Sequence, residues 1–273
     1  MLSKRIQSSL FLAALTTLGI FNKWFFIIFI VVLTMGGLYE FFYLIRKKGI
    51  PIYSYIGIFI GAAIPVSIFT RFELTKNWEL LFIVIGFLLL LLLQFLRGDN
   101  RNAIVGISTT LFGILYVSWF FSFLVKIRFL VPDDGGLKLL AFIIAVTKAG
   151  DIGALLIGRK IGKHALLSNV SPNKTIEGWA ASLIFGGLTA LVCWSFLPPA
   201  LNYTLFQIFL IGVFFSAIGQ LGDLSESMIK RDCDVKDSGK FLPGLGGILD
   251  IIDSLLFAAP AFYLYMSSAL NTI

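Results

Sequence analysis

The residues best suited to chemistry gather between Asp223 and Asp253. Asp223, Ser227 and Lys230 recur at i, i+4 and i+3 spacing, so they share one face of a helix. Glu226 borders that face, and Arg231 lies beside Lys230. Asp232, Asp234, Lys236, Asp237 and Lys240 follow, and then Pro243-Gly244-Leu245-Gly246-Gly247 reads as a hinge. Asp250 and Asp253 stand one helical turn apart at the head of an apolar run. Two carboxylates near a membrane boundary, with basic groups close by, suit a Mg²⁺ and phosphate site. Mg²⁺ is commonly held by one or two carboxylates plus substrate phosphates, and Lys or Arg neutralises charge on a transferring phosphoryl group. A solvated charged loop is the plainer reading, and it accounts poorly for Asp250 and Asp253 against an apolar helix.

Two smaller clusters lie upstream. Lys148, Asp151, Arg159 and Lys160 sit among Gly150, Gly153, Gly158 and Gly162. An ionisable group is costly in lipid, so Asp151 should face a cavity or a partner, and Lys148 is three residues away on the same face. That pair is either an ion pair ordering helices or part of a ligand site at the membrane surface. The second cluster is Ser171-Pro172-Asn173-Lys174-Thr175-Ile176-Glu177-Gly178. Its hydroxyls beside Lys174 could hold phosphate oxygens, and Pro172 and Gly178 fix the turn. Thr175 could instead cap the following helix. The Gly and Lys spacing of a Walker loop is absent. His164 is the only histidine, so no histidine metal cluster exists, and it reads as a loop residue. Glu40 either joins the polar cavity or pairs within the bundle. Cys193 and Cys233 have neither metal-cluster spacing nor support as a disulfide.

The elements that must position these groups are membrane helices. Of 273 residues, 58% are hydrophobic and 14% charged, too few polar side chains to cover a soluble globule. A hydrocarbon core needs about 20 apolar residues per helix. Nine spans are expected: Ile6 to Ile20, Trp24 to Ile45, Ile52 to Phe69, Trp78 to Leu96, Ala103 to Val125, Leu137 to Ile157, Gly178 to Leu197, Tyr203 to Leu221 and Ile251 to Leu270. The fold class is thus an all-α polytopic membrane protein of about nine transmembrane helices, eight to ten allowing for boundary error. The first span is short enough to lie in the interface, and it reads as an anchor instead of a cleaved signal peptide. Residues 1–125 form an N-terminal helical region. Residues 126–273 form a C-terminal catalytic region carrying polar loops 158–177 and 222–250.

The net charge of +7 is placed asymmetrically. Nine spans put 15 Lys and Arg on the N-terminal side and 6 on the other, with Lys148 inside a span. The positive-inside rule then sets the N-terminus and both long loops in the cytoplasm.

The stretch from Ser227 to Ser254, with Lys230-Arg231, Lys236-Asp237, Pro243-Gly244, Gly246-Gly247, Asp250 and Asp253, resembles the signature of the phosphatidate cytidylyltransferases. The resemblance extends to Gly222-Asp223 and Glu226. It takes in Asp151, Ala154, Gly158-Arg159 and Gly162-Lys163, and also Ser171-Pro172, Lys174-Thr175 and Glu177-Gly178. It covers roughly the last half of the chain. Leu245, Ile251 and Leu155 depart from it, standing where the family usually has His, Arg and Tyr.

The resemblance implies transfer of CMP from CTP to phosphatidate. It implies Mg²⁺, a polar cavity on the cytoplasmic side and a homodimer in the lipid bilayer, with no nucleic-acid partner. By motif position Asp223 and Asp250 would hold the metal, with a second cation such as K⁺ as an addition. Asp223, Asp250, Lys230 and Arg231 would be catalytic. Asp151, Arg159, Ser171, Lys174, Thr175, Glu177, Ser227, Lys236 and Asp253 would contact substrate. A bacterial inner membrane is the expected location. Alternatives are another lipid phosphate as acceptor, a catalytically silent paralogue prompted by Leu245 and Ile251, and a transporter, for which internal repeats are lacking.

Overall fold

A computed structural model describes residues 22–70, 78–239, 241 and 246–271. The expected first span, Ile6 to Ile20, lies outside the described residues, as do Lys240 and Leu245. The remaining eight expected spans correspond to eight helices: α1 Lys23–Lys47, α2 Ser54–Thr70, α3 Trp78–Arg97, α4 Ala103–Arg128, α5 Gly135–Ile161, α6 Ile176–Val192, α7 Leu205–Asp232 and α8 Leu249–Asn271. Five of them, α1, α4, α5, α7 and α8, are long and apolar enough to cross a membrane. The 17-residue helices α2 and α6 fall short because, at 1.5 Å per residue, each reaches only about 25 Å against a core of about 30 Å.

Both polar loops hold more regular structure than a loop reading expects. α5 continues to Ile161, and an antiparallel hairpin then pairs β1 Ala165–Leu167 with β2 Ser171–Thr175. α7 runs on past Leu221 as far as Asp232, so Asp223, Glu226, Ser227 and Lys230 lie on its last turns. Its start is fixed by a capping box between Thr204 and Gln207. Its end is extended by the Glu226 to Lys230 pair at i, i+4.

The chain forms two compact units. The first comprises Met1–Val125 and Asp237–Leu249, insofar as they are described. Its core holds Leu38, Phe41, Phe42, Tyr116 and Val117. A π-helical stretch, Ile114–Trp119, lies inside α4, and the Ser118 hydroxyl donates to the Gly61 carbonyl. Gly57, Gly61 and Gly113 leave room for the Phe42, Leu38 and Phe41 side chains. Small residues commonly permit such close helix approach in membranes.

The second unit comprises Lys126–Lys236 and Asp250–Ile273. Phe142, Phe215 and Phe262 form its aromatic centre, with ring centroids 5.7 and 5.0 Å apart. α5, α6 and α7 meet on small residues: Gly150 and Gly186 both face Ser216, whose hydroxyl donates to the Ser182 carbonyl at 2.8 Å. Gly222 lets α7 meet the α8 backbone, where any Cβ would run into the Asp253 carbonyl oxygen. That close approach brings the carboxylates of the two helices together.

Candidate functional site: a carboxylate cluster braced by lysines

The second unit also carries an acidic cluster. Asp223 and Glu226, three residues apart on α7, meet Asp253 of α8. One carboxylate oxygen from each lies within 4.8 Å of the others. Glu226 is fully buried, Asp253 nearly so, and Asp223 half-buried. An octahedral Mg²⁺ with bonds near 2.1 Å holds its ligand oxygens at most about 4.2 Å apart, so small side-chain rotations would close this group around an ion. Three hard oxygen donors suit a divalent cation of that kind.

Three lysines brace the cluster. Lys174, at the end of the hairpin, pairs with Asp223 at 2.7 Å. Lys230 lies one turn beyond Glu226, pairs with it, and also reaches Asp250 at 2.6 Å. Asp250 is thus held through Lys230, beside the three-carboxylate group. On the other flank, Lys148 donates to Asp151 at 3.3 Å, to the Ile251 carbonyl at 2.9 Å and to the Ser254 hydroxyl at 2.8 Å. Gln220 and the Ser254 hydroxyl also donate to Asp151, at 2.9 and 3.0 Å. The Asp253 side chain accepts the Ser254 amide. Asp151 therefore belongs to a polar knot linking α5, α7 and α8. This knot pins the first turn of α8, on which Asp253 stands.

The other residues singled out in the sequence occupy the surroundings. Thr175 caps α6, accepting the Gly178 amide at 3.1 Å. A Cβ at Gly158, Gly162 or Gly178 would press on its hydroxyl. Glu177, in the first turn of α6, accepts the Lys163 and His164 amides and pairs with the His164 ring at 2.6 Å. That ring contact, followed by its own backbone amide, holds the Glu177 carboxyl down to about 2. Ser171 begins the second hairpin strand, paired with Leu167. Ser227 is buried on α7. Arg231 donates to the Val170 carbonyl at the hairpin turn and to the Val235 carbonyl, at 3.1 and 3.3 Å. Its guanidinium thus ties the hairpin to the end of α7. Arg159 and Lys236 are exposed.

Sequence reasoning places Lys148 beside Asp151 and leaves it between an ion pair and a ligand site, and it does not single out Gln220. Lys148 left a signal in its spacing from Asp151. Gln220 is an ordinary residue in an apolar helix and left none, and Ser254 closes the family-like stretch with no spacing that assigns it a partner.

Comparison with known proteins gives this arrangement a family. The sequence model of the cytidylyltransferase family matches residues 3–269. The chain is 40% identical over 153 residues to a phosphatidate cytidylyltransferase of Bacillus subtilis, covering 56% of this chain and 55% of that one. It is 40% identical over 163 residues to one from Staphylococcus saprophyticus, covering 60% of each. These alignments span less than two thirds of the length of either relative. A Synechocystis phosphatidate cytidylyltransferase is 32% identical over 293 residues, covering 97% of this chain and 96% of its own. With the family match running through the helices that carry the carboxylates and lysines, the chain belongs to the cytidylyltransferase family.

Proposed function

We propose that this protein transfers CMP from CTP to phosphatidate, giving CDP-diacylglycerol and pyrophosphate. The observation that carries the reading is the Asp223, Glu226 and Asp253 cluster held between Lys174 and Lys230. The name shared by the relatives supports the choice of acceptor. A phosphatidate oxygen forms a bond to the α-phosphorus of CTP. The bond from that phosphorus to the bridging oxygen breaks, and pyrophosphate leaves with the electron pair. The acceptor is itself the nucleophile, so no covalent enzyme intermediate is needed. Both reactants are anions, and positioning with charge neutralisation supplies the rate.

The ion is Mg²⁺, with K⁺ as a second cation. Held by Asp223 and its neighbours, Mg²⁺ would neutralise phosphoryl oxygens and polarise the reacting phosphorus. The chain's own groups do the remaining work. Lys174 and Lys230 exchange their carboxylate partners for substrate phosphates and hold them in line. Asp250 keeps Lys230 beside the cluster. Arg159 and Lys236 meet the outer phosphates of the nucleotide, and Ser171, Thr175 and Ser227 offer hydroxyls. Glu177 and Arg231 keep the hairpin against α6 and α7. On charge grounds the N-terminus and the hairpin face the cytoplasm of a bacterial inner membrane, and the enzyme works as a homodimer. Residues 1–125 serve as the helical region preceding a catalytic region of residues 126–273.

The test is incorporation of radiolabelled CTP into lipid by the purified protein, with Mg²⁺ and phosphatidate. Asp223→Asn and Asp253→Asn should each abolish incorporation while the protein stays folded. Unchanged incorporation in both variants would refute the site. Product analysis with phosphatidate, prenyl phosphate and ether-lipid phosphate separates the acceptors.

A further inference from the structure

Within the first unit, Glu40 of α1 is buried, 7% exposed, and is the one acidic residue of a largely apolar helix. Among the described residues its carboxylate accepts hydrogen bonds from the segment that leads into α8. One oxygen accepts the Ile248 amide at 2.9 Å. The other accepts the Leu249 amide and the Ser238 hydroxyl, each at 2.9 Å. The fit is close on every side. A Cβ at Gly239 or Gly247 would collide with the Glu40 carboxylate, and one at Gly36 would collide with the Ile248 side chain.

The amides of Ile248 and Leu249 open α8, and such amides have no partner within their own helix. A helix usually supplies an acceptor from Ser, Thr, Asp or Asn at its N-cap. Here the residues before α8 are Gly246, Gly247 and Ile248, none with a side-chain acceptor. The acceptor comes instead from a residue 208 positions earlier in the chain. Its negative charge also sits at the positive end of the helix dipole, where it is favoured.

We propose that Glu40 is a positioning residue for the carboxylate cluster. By capping α8 from α1 and gripping Ser238, it fixes where α8 begins and how its first turn is rotated. That turn bears Asp250 and Asp253, so the cap acts on cation binding through the helix. The inference rests on the proposed cytidylyl transfer only for its kinetic readout.

Glu40→Gln keeps the shape but replaces one accepting oxygen with an NH₂ group that faces N–H donors. Three measurements on the full-length protein in detergent test the proposal: hydrogen exchange of a peptide covering residues 246–252, Mn²⁺ affinity by electron paramagnetic resonance, and the Mg²⁺ dependence of CMP transfer. Glu40→Gln should speed exchange at Ile248 and Leu249. It should weaken Mn²⁺ binding about 10-fold or more and raise the half-saturating Mg²⁺ in step, the size usual for removing a group that orients metal ligands. The KM for phosphatidate should stay unchanged. Ser238→Ala should move all three in the same direction by less, and it decides the matter if Glu40→Gln does not fold.

Unchanged exchange would overturn the cap. Faster exchange with wild-type Mn²⁺ affinity would reduce Glu40 to a purely structural role and overturn the positioning claim. A wild-type protein that binds Mn²⁺ yet makes no CDP-lipid would refute the proposed activity and leave the exchange and Mn²⁺ measurements to judge Glu40.

Discussion

Lys230 is the residue whose loss should hurt most before any substrate is present. Its side chain is 13% exposed, and the two carboxylates it joins, Glu226 and Asp250, are 0% and 11% exposed. At such burial solvent screens the charges little, so the discount that applies to surface pairs does not apply here. Lys230→Met removes the cation that the two carboxylates share. Removing one partner of a buried pair costs about 3–5 kcal/mol. At roughly 2–4 °C per kcal/mol for a domain of this size, the melting temperature should fall by about 6–20 °C. The assay is thermal unfolding followed by tryptophan fluorescence in detergent with chelator present, because a bound cation would take over part of the lost ammonium's role. Adding Mg²⁺ should restore some of the loss. The double variant Lys230→Met with Glu226→Gln removes the buried orphan charge along with its partner and should melt above Lys230→Met alone. A Lys230→Met protein within about 2 °C of wild type would refute the triad, since even its lower-limit cost predicts more. A double variant that loses the full sum of the two single losses would refute the coupling.

Two further perturbations probe the framework around the cluster. Gly222→Ala places a methyl group against the Asp253 carbonyl and should push α8 away from α7; overpacking costs about 1–3 kcal/mol, and CMP transfer should fall even at saturating Mg²⁺, whereas wild-type kinetics would show that the two backbones can separate freely. Glu177, at the water-exposed start of α6, has its carboxyl lowered from 4.5 to about 2, so its hold on Lys163 and His164 is complete above pH 4.5 and is lost as the pH falls through about 2. His164→Ala should move that loss up towards pH 4.5, read as earlier proteolysis of the hairpin on acidification; identical cleavage profiles would deny His164 its part.

Hydrophobic run length made the helices legible, because lipid demands long apolar segments wherever the chain crosses it. The face shared by Asp223 and Lys230 was legible too, since a helix fixes which residues lie above one another. Which carboxylate of α8 meets Asp223 was not. Asp250 and Asp253 are one turn apart, and their spacing is silent on where α8 begins and how it is rotated. Contacts distant in sequence settle those quantities: the Gly222 approach, the Lys148 bond to the Ile251 carbonyl, and the Glu40 cap. Lys174 likewise reaches Asp223 only because residues 165–175 fold back as a hairpin. Arg231 reads as a phosphate ligand by charge, yet it donates to two backbone carbonyls, a use that charge alone does not reveal.

The pairing pattern also bears on how many cations the protein can take without substrate. Among the described residues, five carboxylates, Asp151, Asp223, Glu226, Asp250 and Asp253, stand against three ammoniums, Lys148, Lys174 and Lys230. The formal remainder is two negative charges, which one divalent ion balances. A second divalent ion would leave this low-dielectric region with excess positive charge, an arrangement that is costly away from water. The phosphates of CTP change that balance. They bring further anionic oxygens and draw Lys174 and Lys230 from their carboxylates, which frees ligand atoms for another cation. Mn²⁺ titration should therefore saturate near one ion per chain in the absence of nucleotide and rise when a CTP analogue with a non-cleavable bond between its α and β phosphates is added. Two tightly bound ions in the nucleotide-free protein would refute the charge argument, because they would require the lysines to stay neutral or to lie elsewhere.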